Sequence, residues 1–463
     1  METITLEQLL KAVHGSLLGE FSDLKFPVAQ VDTDSRTIHR GALFIPLVGD
    51  RFDGHAYIGS ALESGAAGCL SAREWDSYLP GKFYVKVEDT QKALRDLAVW
   101  YKGRFNIPCI GVTGSVGKTT AKDMLAAVLG VQYKVLKTEG NFNNNIGLPL
   151  TLLKLNSSHQ VAVLEMGMDG PGQIDYLADI VQPDVGVITN IGDAHIELLG
   201  SRENILRAKC ELLPHIKEGG TIILNGDDAL LAGLRGKTYV PAVFCGQSLD
   251  CDYRAQPMGG DGVSHIHCRL ITPRMDREVK IPALGEHMIY PALIAAAVGE
   301  RFGLTPDQIE EGISQFVPTR MRMNILHREA GITILDDTYN ANPQSMRAAI
   351  SVLADSHGGF KAAILGDMLE LGPFAPALHT GVGEYLGEVQ IDCLIAVGQL
   401  AEYIAQGARD AGVPQVIQCR DREEAKAVLP QVLCPDCTVL VKASRGMKLE
   451  EITAKLLELT AEV

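Results

Sequence analysis

The sequence predicts an α/β protein of three domains, and three observations carry that prediction. Its 463 residues exceed one core, because domains run to about 100–200 residues. Short apolar strands alternate with helical patterns from residue 106 to 318 and again from 319 to 463, the pattern of parallel sheets covered on both faces. Ahead of both lies a separate strand and helix unit over residues 1–105. The expected architecture is a small α/β N-terminal domain, a central mostly parallel sheet, and a C-terminal Rossmann-like doubly wound domain.

Composition narrows the class. Hydrophobic residues make up 46% and charged residues 21%, ordinary for a globular protein. The apolar runs, among them short strand-like pieces such as Val161–Leu164, fall far short of the roughly 20 residues a membrane span needs. The start METITLEQLLKAVHG reads as strand and helix without a signal-peptide pattern, and ten scattered cysteines suit a reducing compartment, so a cytoplasmic protein is expected. A net charge of −15 argues against a nucleic-acid surface. No heptads or long apolar face point to an obligate assembly, and a monomer is expected.

In the first domain, Asp34-Ser35-Arg36 occupies a turn and Asp53-Gly54-His55 precedes a helix. A serine hydroxyl beside a guanidinium fork suits paired oxygens, although a solvated turn explains the same residues. Leu94, Leu97, Ala98, Tyr101 and Phe105 at helical spacing predict an amphipathic helix over 91–105 that closes the domain.

The central domain opens on PCIGVTGSVGKTTAKDML, Pro108 to Leu125: a strand, a glycine turn, and a helix opening on Lys118-Thr119-Thr120. In loops of this shape backbone N–H groups turn inward onto phosphates, a lysine reaches the outer phosphates and a hydroxyl holds magnesium. Gly114, Ser115, Gly117, Lys118, Thr119 and Thr120 are therefore candidate nucleotide contacts, which makes the domain P-loop ATPase-like. The generic pattern would place a glycine at Val112; instead Gly111, Gly114 and Gly117 are spaced by three.

Asn141, Asn143, Asn144 and Asn145 then crowd a loop, where amides either turn the chain or meet a ligand. The strand VAVLE ends on Glu165, at the edge where open sheets place ligands; a buried carboxylate there needs a partner or a cation, and Glu165 is a magnesium candidate. The next strand runs into Asp193-Ala194-His195, and the following helix carries Lys209. His195 is either a metal ligand through a neutral nitrogen or a loop histidine. A triphosphate with a carboxylate substrate brings about five negative charges for magnesium and lysines to neutralise. The segment from Val240 to Ile281 reads as weak and irregular, and ALGEHMIYPALIAAAVGERFG as a buried helix. His265, His267 and Cys268 lie in a strand-like run, and Cys434-Pro-Asp-Cys437 is a lone pair before a strand.

After a connector holding Arg320 and Arg322, strands GITILDD, AAILGD, CLIAVG and TVLVKAS alternate with helices near 343–354, 376–387, 400–412, 423–433 and 449–460. No G-x-G-x-x-G follows the first strand, which argues against a dinucleotide.

Taken in order, TGSVGKT, NNNIGLPLT, LEMGM, His195, AKCE around Lys209, DDTYNANPQSM, LGDMLELG with His379, and VKASRGMKLE resemble the Mur ligases, and the third-domain motifs resemble their MurF type. That resemblance implies an ATP-dependent ligase joining D-alanyl-D-alanine to a UDP-N-acetylmuramoyl-tripeptide. It implies ATP phosphates on Lys118, magnesium held by Thr119, Glu165 and His195, and Lys209 carbamylated as a metal-facing anion. Asn145, Asn340 and Asn342 would lie near the nucleotide, and Arg322 near its γ-phosphate. Ser35 and Arg36 would touch the UDP part. Lys442, Ser444 and Arg445 would sit on the third domain's rim, facing the dipeptide or the reacting centre. The chain departs from the family pattern at Met321, Met288 and Pro291, the last two replacing asparagines. A MurE-type ligase would carry a DNPR-like sequence in the third domain, which is absent. A folate polyglutamylating enzyme would lack the first domain's DSR and DGH turns, and a nucleotide-binding module without ligase activity is the rival from another class.

Overall fold

The computed structural model describes residues 1–49 and 52–460. Its three principal sheets follow one another along the chain. The first has five strands in the order Ser16–Leu18, Phe83–Lys86, Gly68–Ser71, Leu43–Phe44 and Val31–Asp32, parallel except at the first pairing. Asp89 starts the helix Thr90–Lys102 by accepting from the N–H of Lys92 at 2.7 Å. Ala93, Leu94, Leu97, Ala98 and Tyr101 form its buried stripe. This helix also docks the first domain on the second: the fully buried Tyr101 hydroxyl donates to the Leu155 carbonyl at 2.6 Å, and Arg95 pairs with Asp179.

The central sheet has nine strands, ordered Val135–Lys137, Val161–Glu165, Cys109–Thr113, Val185–Ile188, Thr221–Asn225, Ala242–Gly246, Tyr253–Gly260, Ile266–Ile271 and Asp276–Ile281. The first six pairings are parallel and the last two antiparallel. Every residue of Cys109–Thr113 and Val161–Glu165 is buried, as strands covered on both faces require. The expectation of an irregular stretch from Val240 to Ile281 is corrected here, because it forms four ordered strands. Its antiparallel members expose one face, so polar residues dilute the apolar signal. Helix Ile289–Arg301, apolar nearly all round, packs on this sheet and against the helices Lys118–Gly130 and Pro306–Ser314, which also touch the sheet.

The third sheet runs Asn324–His327, Thr333–Asp337, Cys437–Lys442, Phe360–Gly366, Cys393–Val397 and Gln415–Cys419. Only the first pairing is antiparallel, and that edge strand, inside the connector, left no clear sequence pattern. Alternate residues face opposite sides. Ile334, Ile364, Ile395 and Val439 pack with Ile452 and Leu456, whereas Leu335, Leu365, Leu394 and Leu440 pack with helices Pro343–Asp355, Ala375–Glu388 and Ala401–Asp410. Cys434 and Cys437 flank a turn, with Asp436 at φ +60°. Among the described residues no helix is long and apolar enough to cross a membrane.

Candidate active site

The strand Cys109–Thr113 delivers its loop to the carboxyl edge of the central sheet. Val112 is buried in mid-strand, paired with Glu165 on one side and Val187 on the other. An apolar side chain is needed there, and the loop proper begins two residues later. Gly114 has φ +149°, and an added Cβ would lie 1.8 Å from the Thr189 hydroxyl. Gly117, at φ +80°, leads into helix Lys118–Gly130, whose first N–H groups lack intrahelical partners and favour an anion. Residues after the neighbouring strand brace the loop. Asn190 Oδ1 accepts from the N–H of Val116 at 2.9 Å, Thr189 donates to the Val116 carbonyl at 2.6 Å, and Ser115 Oγ accepts from the N–H of Gly192 at 2.8 Å. Lys118 Nζ folds onto the Gly114 carbonyl at 2.8 Å; burial lowers its pKa, opposed by nearby Glu165.

Glu165, 2% exposed, accepts from the Thr119 hydroxyl at 2.9 Å and from Asn143 Nδ2 at 2.8 Å. Asn143, rather than the exposed Asn145, is thus the asparagine that reaches this carboxylate. A buried anion held only by neutral donors, beside a hydroxyl oxygen, suits a hard divalent cation. Among the described residues no three His, Cys, Asp or Glu side chains gather as a ligand set. The hydroxyl and carboxylate oxygens of Thr119 and Glu165 are the hard donors that magnesium takes beside waters and substrate phosphates. Arg322 approaches from the connector, 3.5 Å from Thr119 Oγ1 and stacked 4.0 Å over the Tyr339 ring.

Lys209, 2% exposed on helix Arg202–Cys210, has no hydrogen-bond or ion-pair partner among the described residues. Burial, reinforced by the charge of Lys118, pushes its pKa well below the ordinary lysine value. His195 stands at φ +62° before the short helix Ile196–Leu199, with its Nδ1 2.6 Å from Glu370 Oε2 of the third domain.

The other sequence candidates are tied into the surrounding fold. Asn342 caps helix Pro343–Asp355, accepting from the N–H of Ser345 at 2.9 Å. Asn340 Oδ1 accepts from the N–H of Ala341, and its carbonyl accepts from Lys442 at 2.9 Å. Lys442 is 2% exposed and paired with Asp337 at 2.5 Å, so it is buried rather than on a rim. Burial lowers its pKa and Asp337 opposes that. Ser444 is also buried, accepting from the N–H of Leu369 at 2.9 Å, whereas Arg445 is exposed and paired with Glu450. In the first domain Arg36 does not stand free: Asp34 holds its guanidinium at 2.6 and 2.8 Å, and that pairing lowers the Asp34 pKa to about 2. Ser35 opens the 3-10 turn beside it.

Two cavities adjoin the loop. One of about 670 Å³ is lined by Val116, Thr120, Asn190, Asn225, Tyr290 and Gln344, with Pro291 in its wall. A second of about 100 Å³ brings together Thr119, Arg322, Asp337 and Lys442, with Met288 in its wall. Three separate stretches thus meet at one sheet edge.

Three family models match: Mur ligase family, catalytic domain, over residues 27–99; Mur ligase middle domain over 112–299; and Mur ligase, glutamate ligase domain, over 321–445. A Bacillus subtilis protein named UDP-N-acetylmuramoyl-tripeptide–D-alanyl-D-alanine ligase is 39% identical over 98% of this chain and 98% of its own. The chain belongs to the Mur ligase family, in its MurF branch. Among solved structures, MurF from Acinetobacter baumannii matches with TM-score 0.90 and 32% identity over 99% of both chains. The MurF ligase from Thermotoga maritima, solved in complex with ADP, matches with TM-score 0.81 and 29% identity over 94% of this chain and 97% of its own. In this Mur ligase Asn190 and Thr189 were hidden from sequence reading, while Asp337 and Glu370 lay inside quoted motifs, DDTYNANPQSM and LGDMLELG, without a role of their own. Their types are common in loops, and only tertiary contact singles them out. Asn143 stood among four equivalent asparagines, which spacing alone did not separate.

Proposed function

We infer that this Mur ligase uses ATP to join D-alanyl-D-alanine to UDP-N-acetylmuramoyl-tripeptide, giving the UDP-muramoyl-pentapeptide precursor of peptidoglycan, ADP and phosphate. The observation that carries the reading is the small cavity where Thr119 of the phosphate loop, Arg322 of the connector and Lys442 of the third domain converge. A site for two-step acyl transfer needs such a meeting of nucleotide and acceptor elements. In the first step a tripeptide carboxylate oxygen attacks the γ-phosphorus and the bond to ADP breaks, leaving an acyl phosphate. The dipeptide amine then attacks the carbonyl carbon, loses its proton, and phosphate departs.

We assign the loop amides of Gly114 to Thr120, with Lys118 and Arg322, to the developing phosphoryl charge. Thr119 and Glu165, with His195, would hold magnesium, which when bound offsets phosphate charge. Lys209 would act as its carbamate: a neutral, buried amine without a partner is the form that adds carbon dioxide. The base would occupy the larger cavity, where Asn190, Asn225 and Gln344 offer amide edges in place of the asparagines replaced by Met288 and Pro291. Asn145, Asn340 and Asn342 would then frame the nucleotide site without direct contact. The first domain, residues 1–105, would take the UDP part at Ser35 and Arg36, with Arg36 exchanging Asp34 for the substrate. Residues 106–318 would take ATP. The third domain, 319–463, would take the dipeptide, with Arg445 as its exposed cation and Lys442 and Ser444 holding the loops behind it. We place the enzyme in the cytoplasm as a monomer.

Mixing UDP-tripeptide, ATP and D-Ala-D-Ala and following ADP release tests the reading. ADP formation that depends on both acceptor and donor is expected. Dipeptide-independent ATP hydrolysis, or no ADP at all, would overturn it.

A further inference from the structure

The loop Asp367–Gly372 leaves the carboxyl end of strand Phe360–Gly366, and an unusual number of anchors pin it. The N–H of Met368 donates to His379 Nε2 at 2.9 Å, and that of Leu369 to Ser444 Oγ at 2.9 Å. The Asp367 carboxylate accepts from the N–H of Ala401 at 2.7 Å, and the Asp367 carbonyl from that of Ser444 at 3.1 Å. His379 is fully buried and its Nδ1 lies 2.7 Å from the Ala375 carbonyl, so the ring donates there and accepts from Met368.

What the anchors present is Glu370, held at φ +64° and reaching across the domain boundary to His195, itself at φ +62°. Two non-glycine residues in the left-handed region, face to face from different domains, mark a place the fold over-determines. The approach is close on both sides. The Glu370 carbonyl accepts from the N–H of Glu197 at 3.4 Å, and a Cβ on Gly372 would come within 2.9 Å of Glu197 Cγ. His195 Nδ1 is buried with no hydrogen bond of good geometry, yet the Glu370 carboxylate stands 2.6 Å from it, and 22% of the side chain stays exposed. A carboxylate that close to Nδ1 favours a proton on that nitrogen and so leaves the lone pair on Nε2.

We propose that Glu370 is a positioning residue: supplied by the third domain, it fixes the His195 ring with its Nε2 lone pair toward the reacting centre, so that side of the site is complete only when the third domain is docked. The proposal rests on the ligase reading in one respect, that His195 serves that centre. The Glu370 side chain is 60% exposed, so its replacement leaves the core intact.

Two-bond ¹H–¹⁵N spectra of the full-length protein, with the His195 signals identified by their loss in His195→Gln, should show the Nδ1–H tautomer in the wild type. Glu370→Ala should give a mixed or Nε2–H tautomer and lower kcat about 10–100-fold, with the KM for ATP little changed. Glu370→Gln, whose amide oxygen also accepts, should keep the tautomer and recover part of the rate. In a His195→Gln background, Glu370→Ala should cost nothing further. An unchanged His195 tautomer in Glu370→Ala, or an undiminished kcat, would overturn the proposal. The spectra report even if no dipeptide-dependent ADP forms, so failure of the ligase reading remains distinguishable.

Discussion

Lys209 shows at the scale of one residue how a site departs from what folding favours. An ammonium without a counter-charge is expensive to bury, and the fold lowers its pKa well below the ordinary value through burial and the nearby charge of Lys118. Between the folded-state pKa and the unfolded value of 10.5 the unfolded chain binds a proton that the folded chain does not. Stability therefore rises with pH through that window and falls as pH drops through it. Lys209→Met should raise stability at neutral pH in carbon-dioxide-free buffer, by an amount that grows as pH falls from 10.5 toward the folded-state pKa. The gain should vanish above the unfolded pKa, and urea denaturation across pH measures it. The same variant should lack ligase activity, and short-chain carboxylates should restore part of the activity of Lys209→Ala if the residue acts as a carbamate. A pH-independent stability difference would contradict the unpaired burial.

At the scale of an element, the phosphate loop works because its glycines answer two different demands. Gly117 leaves space ahead of the helix, whereas Gly114 lets the backbone pass against Thr189 in a conformation that disfavours side chains. Gly114→Ala should destabilise the protein by about 1–3 kcal/mol and weaken ATP binding together, because the strained position and the brace through Thr189 belong to one contact. Denaturant titration and nucleotide titration check the two effects. Retention of both would show that the loop tolerates a shift of Thr189. Sequence made the loop, its lysine and its hydroxyl legible, since their spacing is local. It did not reveal Asn190 or the role of Glu370 within LGDMLELG, because an amide or carboxylate in a loop has no partner until another strand end lies beside it.

For the whole molecule, the two domain boundaries differ in kind. Helix Thr90–Lys102 fastens the first domain to the second with buried apolar side chains and the Tyr101 hydroxyl. The third domain meets the second near the site through polar contacts, His195 to Glu370 and Gln344 to the Ile191 carbonyl among them. Tyr101→Phe should cost about 1–2 kcal/mol of stability by leaving the Leu155 carbonyl without its donor, with kcat unaltered. Chemical denaturation with steady-state kinetics tests this, and a loss of kcat without a loss of stability would reverse the assignment.

By itself the sequence determined that this is a three-domain α/β chain with a phosphate loop, because strand alternation, helical periodicity and glycine spacing are written in neighbouring residues. It also carried the ordered motifs of a Mur ligase. The tertiary structure decided the rest. It turned the stretch from Val240 to Ile281 into ordered edge strands, buried Lys442 against Asp337, held Arg36 on Asp34, and set Glu370 opposite His195. Apart from Arg36, held within its own turn, each of these depends on a partner from another strand or loop, and a side chain's surroundings, unlike its spacing, exist only once the chain has folded.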